Sequence, residues 1–262
     1  MKAIQHKIIV LSGKGGVGKS TVAVNVAMAL TMARKQVGLF DADVHGPSVP
    51  KLMGLEKAKP VIKGDYLVPP EFEGDMKVMS LGFLIRGKNE AVVWRGPMKT
   101  QAINQLLKDT LWGPLDYLVI DCPPGTGDEP LSVIQLIGDV DGAVVVTTPQ
   151  EVALADVRRS INFCQALKVP VLGVVENMSG FVCPHCGERT DIFKSGSGEA
   201  MAAKMGVPFL GSVPIDPEVM RSCDAGRPYV YYHPTSETAN AFGRIVEPIL
   251  AMKKDETAPN AS

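Results

Sequence analysis

A chain of 262 residues with 45% hydrophobic content is long enough to bury a sizeable core. Its 27 basic and 28 acidic residues leave a net charge of −1 with the basic ones spread out, which argues against nucleic acid or an anionic membrane as partner. No apolar run approaches the roughly 20 residues of a membrane span, and MKAIQHKIIV lacks the layout of a secretory signal, so a cytoplasmic protein is expected.

Apolar runs of strand length alternate with helix-length stretches. KIIVLS (7–12) is followed by a glycine-rich turn and a helix predicted over 20–33, then by QVGLFD (36–41). Residues 60–95, with the turn signal KGDY and the strand-like MKVMSLGF, read as a β-rich excursion. YLVIDC (117–122), a helix over 130–137, GAVVVTT (142–148), a helix over 153–167 and VLGVVEN (171–177) continue the alternation. A helix over 198–205, a strand over 209–214 and a helix over 236–252, bent or shortened by Pro248, complete it. Continuous rather than alternating hydrophobicity means strands buried on both faces. The expected class is α/β, a mostly parallel sheet with helices on both faces. One domain is expected over residues 1–252, followed by a disordered polar tail over 253–262.

Between the first strand and the first helix lies GKGGVGKST, residues 13–21, which satisfies G-x-x-x-x-G-K-[ST] in the strand–loop–helix setting that this motif needs. Gly13, Lys14, Gly15, Gly16, Val17 and Gly18 would curl their backbone N–H groups around phosphate oxygens. Lys19 would reach the outer phosphates, Ser20 would hold Mg²⁺, and Thr21 closes the motif at the helix start. The second strand ends in DADVHGPS, placing Asp41 and Asp43 at the carboxyl edge where open parallel sheets bind ligands; capping of the following turn is the plainer reading of both. LVIDCPPGTGDEP has the Walker B form, a hydrophobic strand ending in an acid, so Asp121 is expected to accept Mg²⁺-bound water. The glycine-rich loop after it can move with the outer phosphate: Gly125 and Thr126 are placed to sense it, and Asp128 to couple the loop to a partner.

Asn177 ends its strand with a side chain able to read a purine edge, although an ordinary turn asparagine looks the same. Five cysteines, an odd number where thiols stay reduced, favour ligand chemistry over disulfides. Cys183 and Cys186 have the C-x-x-C spacing of a metal half-site, compatible with zinc, iron–sulfur or redox chemistry. Cys122, Cys164 and Cys223 read as small buried hydrophobes.

The extra lysine, Lys14, makes the loop resemble the deviant Walker A motif of the MinD/ParA/nitrogenase-iron-protein class of P-loop NTPases. In that class the early lysine crosses a dimer interface to the facing subunit's nucleotide. The resemblance implies a nucleotide-sandwich homodimer, Asp43 as the residue that positions the attacking water and contributes with Ser20 and Asp121 to the Mg²⁺ site, and Asn177, Pro214 and Asp216 beside the base. If the dimer faces are opposed in that way, two C-x-x-C pairs meet across the twofold axis and supply four thiolates.

Six segments, GKGGVGKST, DADVHGPS, WRGPM (94–98), DCPPGTGDEP, ENMSGFVCPHCG and VPIDP, occur in the order seen in the Mrp/NBP35 (ApbC) family, which the chain resembles over nearly its whole length. Membership implies ATP binding with slow hydrolysis, and a labile [4Fe–4S] cluster bridged by Cys183 and Cys186 of both subunits. The implied partners are apo iron–sulfur proteins and assembly factors. A cysteine-rich N-terminal extension like that of the eukaryotic members is missing, so a second cluster is not expected. Two rivals stand beside this reading. A MinD/ParA-like positioning ATPase with structural zinc at the C-x-x-C is one; its weakness is a last helix interrupted by Pro248 and without a basic amphipathic face. Electron transfer is the other, and it would need widely spaced cluster cysteines.

Overall fold

The buried apolar runs pair in parallel, as their continuous hydrophobicity requires. A computed structural model describes residues 1, 3–84, 96–182, 186, 188–192 and 195–253. In chain order the elements begin with β1 (Ile4–Ser12), α1 (Lys19–Met32), β2 (Val37–Asp41) and α2 (Val49–Leu52). The small strands β3 (Val61–Lys63), β4 (Tyr66–Val68) and β5 (Glu71–Phe72) precede β6 (Met76–Ser80). Then come α3 (Gly96–Asp109), β7 (Leu115–Asp121), α4 (Asp128–Ile137), β8 (Gly142–Thr147) and α5 (Glu151–Ala166). The last third holds β9 (Val171–Val182), β10 (Arg189–Thr190), α6 (Ser197–Met205), β11 (Phe209–Ile215), α7 (Pro217–Asp224), α8 (Tyr229–Tyr232) and α9 (Glu237–Leu250).

One sheet of nine strands runs β10-β9-β8-β1-β7-β2-β6-β5, with β11 paired to β9. Every pairing in it is parallel except β10 on β9 and β5 on β6. β3 and β4 form a separate hairpin. The order places β1, β7 and β2 side by side at the centre, so the loop after β1 and the acids ending β7 and β2 emerge next to one another. Asp41 and Asp121 are in register across β2 and β7. That juxtaposition builds the site.

Phe40 is wholly buried and meets Trp112 edge-on, with ring centroids 6.3 Å apart. Truncating such a ring to alanine costs about 3–5 kcal/mol. Helix α1 is apolar all round and buried nearly throughout, packed between the sheet and α8 and α9. Its one interior amide, Asn25, is satisfied: Nδ2 donates to the Thr21 carbonyl at 2.8 Å, and Oδ1 accepts from Val230 N at 3.1 Å.

Several expectations need adjustment. The β-rich excursion contributes β6, a full member of the main sheet beside β2. Helix α3 was not anticipated, although Ile103, Leu106 and Leu107 carry helical spacing and are its buried face. β9 runs on past Asn177 to Val182. Pro248 lies in the last turn of α9, which ends at Leu250; the apolar stripe of that helix, including Phe242, Ile245 and Ile249, is occupied by the core. Within the tail expected to be disordered, residues 254–262 lie outside the described residues.

Candidate nucleotide and cysteine site

The loop between β1 and α1 is shaped by what its glycines allow. Gly18 has φ +81°, and a Cβ on it would lie 2.2 Å from Asn177 Nδ2. A Cβ on Gly13 would lie 2.4 Å from Asp156 Cβ, where α5 presses on the loop. Both positions therefore exclude a side chain, one by conformation and contact and the other by contact. Ser12 Oγ donates to the Lys14 carbonyl at 2.9 Å and steadies the entry to the loop. Gly18 caps α1 without a side-chain acceptor, which leaves the first N–H groups of the helix to a ligand.

Lys19 is only 6% exposed, and its Nζ donates to Asp121 Oδ1 at 2.5 Å. Burial pulls the ammonium pKa down, but Asp121 more than offsets this and holds it above the usual lysine value. Ser20 Oγ lies 3.4 Å from the same ammonium, and Thr21 Oγ1 lies 3.9 Å from Cys223 Sγ. Asp121 is fully buried, and its Oδ2 has no hydrogen-bond partner among the described residues. A carboxylate oxygen left bare beside Ser20 suits Mg²⁺ or a water bound to it.

Asp41 is also wholly buried. Its carboxylate accepts from Asp43 N at 3.1 Å, Ser80 Oγ at 3.0 Å and Val49 N at 3.2 Å. Burial, with the neighbouring Asp121 charge, pushes its pKa up to about 8 against the pull of Ser80. Asp43 is half-buried, and its Oδ1 accepts from His45 N at 3.1 Å and Gly46 N at 3.3 Å, the turn-capping alternative for this residue. The loop it caps is tied to the start of α4. His45 Nε2 lies 2.7 Å from Glu129 Oε1, and Lys99 from α3 reaches Glu129 at 3.0 Å and His45 at 2.6 Å. This cross-link of three segments was not anticipated, because its members are far apart in sequence. Gly125, at φ +94°, donates its N–H to the Ser12 carbonyl at 2.8 Å and so lies against the base of the glycine loop.

Asn177 does not end a strand. Its Nδ2 donates to the Val17 carbonyl at 2.9 Å, so this amide braces the glycine loop. Asp216 is likewise committed: it caps α7 through Glu218 N at 2.9 Å and accepts from Tyr229 Oη at 2.6 Å and Thr238 Oγ1 at 2.8 Å. With those donors its carboxylate ties α7, α8 and α9 together, and with Pro214 it lines a cleft of about 260 Å³. Pro214 lines a cleft of about 190 Å³ with Ser179, Ser212 and Arg244.

Of the cysteine pair, Cys186 is exposed, while Cys183 lies outside the described residues. Phe181 and Val182 of β9 pair antiparallel with Thr190 and Arg189 of β10, so the C-x-x-C segment falls between two paired strands. Cys122 and Cys164 are buried, and burial raises both thiol pKa values; Cys223 is half-buried, its thiol raised for the same first reason. Trp94 and Arg95 of WRGPM also lie outside the described residues. Sequence reasoning passed over Glu176, a carboxylate in an apolar strand whose need for buried partners was the available signal.

Similarity to known proteins agrees with this geometry. The chain is 47% identical over 256 residues to an iron-sulfur cluster carrier protein of Methanocaldococcus jannaschii, covering 97% of this chain and 88% of the relative. It is 47% identical over 256 residues to the cytosolic Fe-S cluster assembly factor NUBP2 of Bos taurus, covering 96% and 94%. A solved nucleotide-binding protein in complex with ADP from Archaeoglobus fulgidus superposes with a TM-score of 0.78 at 42% identity, over 88% of this chain and 90% of that one. The cell division ATPase MinD of Pyrococcus furiosus superposes at 0.69 with 25% identity, over 95% and 100%. The fold is that of the MinD/ParA-type P-loop NTPases, and the family resemblance carried by the six sequence segments holds. Because the model of the NUBPL iron-transfer P-loop NTPases matches residues 3–250, the chain belongs to that family.

Proposed function

We propose that the chain is an ATP-binding, slowly hydrolysing homodimeric carrier that holds a labile [4Fe–4S] cluster between subunits and passes it to apo iron–sulfur proteins in the cytoplasm. One observation carries the reading: β9 touches the glycine loop through Asn177 and leads directly into the segment that bears the exposed Cys186. A single strand thus serves a phosphate cradle and a thiol. The relatives named as a cluster carrier and a cytosolic assembly factor support cargo and compartment. Among the described residues, no helix is long and apolar enough to cross a membrane.

In this reading ATP draws Lys19 away from Asp121 onto the outer phosphates, and Ser20 Oγ, Asp43 and the freed Asp121 carboxylate would hold Mg²⁺ or water bound to it. When bound, the ion would supply charge neutralisation at the phosphates. Asp43 orients the attacking water, Lys14 reaches across to the partner's nucleotide, and Asn177 and Pro214 lie toward the base. Cys183 and Cys186 of the two subunits give the four thiolates that one cluster needs. A site made at an interface opens when the interface shifts, so release is a population shift that destroys no ligand.

Anaerobic reconstitution tests the carrier. About four irons per dimer are expected, lost in Cys183→Ala and Cys186→Ala, with transfer to an apo iron–sulfur enzyme on mixing. ATP affinity is expected to survive both substitutions. Four irons per monomer, zinc held tightly after strictly oxygen-free isolation, or equal transfer by the cysteine variants overturns the reading. Nucleotide-dependent pelleting with liposomes or DNA would favour a positioning ATPase instead.

A further inference from the structure

Glu176 lies in the middle of β9 with no exposed surface, directly after the apolar run Val171–Val175. A carboxylate so placed must find donors, and it finds three. Ser179 Oγ donates to Oε1 at 2.5 Å, Gly196 N donates to Oε1 at 3.1 Å, and Gly198 N donates to Oε2 at 2.5 Å. Ser179 precedes the C-x-x-C segment, and Gly196 and Gly198 follow it. One buried group therefore clamps both ends of the chain that carries the cysteines. The clamp is close-fitting as well as charged, since a Cβ on Gly198 would lie 3.0 Å from Glu176 Oε2. Its oxygens also sit at the first N–H groups of α6, where negative charge is favoured.

The next residue is Asn177, and successive strand residues point to opposite faces. Asn177 therefore reaches away from the clamp, to the Val17 carbonyl of the glycine loop at 2.9 Å. Immediately after it Met178 has φ +58°, a left-handed conformation that residues other than glycine seldom adopt, and the pairing of β9 with β11 shifts register between Val213 and Ile215. The strand is thus irregular at the point where its contacts pass from the glycine loop to the cysteine segment.

We propose that Glu176 is the positioning residue of the cysteine segment, and that the adjoining Asn177 makes the segment respond to nucleotide in the glycine loop. Movement of the Val17 carbonyl on ATP binding pulls on Asn177, and the backbone shared by residues 176 and 177 carries the displacement to the three donors. The inference rests on the carrier reading, because it assigns the coupling between the two halves of that site.

Amide hydrogen exchange at Gly196 and Gly198, the donors themselves, tests it in the full-length apo protein with and without saturating ATP and Mg²⁺. Calorimetric titration of ATP into the same samples confirms occupancy. Wild type should show exchange at these amides that changes with ATP. In Glu176→Gln the amides should exchange about tenfold faster, the effect of one lost charge-assisted hydrogen bond, and ATP should no longer alter them although it still binds. Asn177→Ala, measured at verified saturation, should keep the slow exchange and lose only the response to ATP, a separation that a merely structural role for the strand would not produce. Ser179→Ala, which removes one donor and leaves the carboxylate, serves if Glu176→Gln does not fold; it should weaken the clamp in the same direction. Wild type that binds ATP with no change at these amides, or variants that respond as wild type does, overturn the proposal alone. Wild type that binds no ATP overturns the carrier reading and the proposal with it.

Discussion

Replacing Lys19 with methionine should reveal how much of the resting stability depends on the Lys19–Asp121 ion pair, which ATP would break in the proposed mechanism. Lys19 is 6% exposed and Asp121 not at all, and the buried Asp41 stands in register beside Asp121. Lys19→Met keeps the volume but leaves two neighbouring buried carboxyls without a cation. Removing one partner of such a pair costs about 3–5 kcal/mol. At roughly 2–4 °C per kcal/mol for a chain of this size, the melting temperature of the nucleotide-free protein should fall by about 6–20 °C. The loss has a pH signature. Without Lys19 the Asp121 carboxyl, already raised by burial, rises further, and an acid whose folded pKa exceeds its unfolded one stabilises most below the unfolded value and loses that contribution as pH rises. The deficit relative to wild type should therefore be small near pH 5 and large near pH 9, changing by at most about 1.4 kcal/mol per pH unit for one proton. Lys19→Met combined with Asp121→Asn should recover most of the stability without restoring nucleotide binding. Urea denaturation across that pH range, with calorimetric ATP titration alongside, is the assay. A Lys19→Met protein as stable as wild type at pH 8, or a double variant no better than the single, would refute the argument.

Further outcomes are expected. Because the Asp41 pKa is about 8 in the fold, nucleotide-free wild type should lose stability as pH rises from 6 to 8, and Asp41→Asn should flatten that slope; parallel slopes by urea denaturation would count against a buried proton there. Gly18→Ala places a methyl group 2.2 Å from Asn177 Nδ2 at a φ of +81°, so it should cost about 1–3 kcal/mol and weaken ATP binding, and unchanged affinity would show that the loop tolerates a side chain. Mixing Lys14→Ala with Asp43→Ala subunits should restore ATPase activity if Lys14 acts across the dimer, since one mixed site then holds both residues. No recovery despite proven subunit exchange would place Lys14 in its own site.

What could be read in the sequence was what is local. Nine consecutive residues spell the glycine loop, and the central strands carry unbroken apolar runs, so the loop and the order of those strands were legible, whereas α3 was not. β9 was read short because Ser179 and Gly180 interrupt its apolar run; partners brought from β10 and β11 extend it. The hydroxyl donors of Asp216, Tyr229 and Thr238, come from later helices, so its role in tying them together was not legible in VPIDP. The Lys19–Asp121 pair joins residues 102 apart, and no spacing rule could supply that. Glu176 was the missed clue, a charge in a run that only burial explains.

The described cysteines are sorted by environment rather than by kind. Cys122 and Cys164 are held in the core as un-ionised thiols, and Cys223 is half withdrawn, whereas Cys186 faces solvent. Iron and oxidants both seek thiolate. On the carrier reading proposed above, packing these sulfurs as though they were hydrocarbon removes the wrong addresses before any metal arrives.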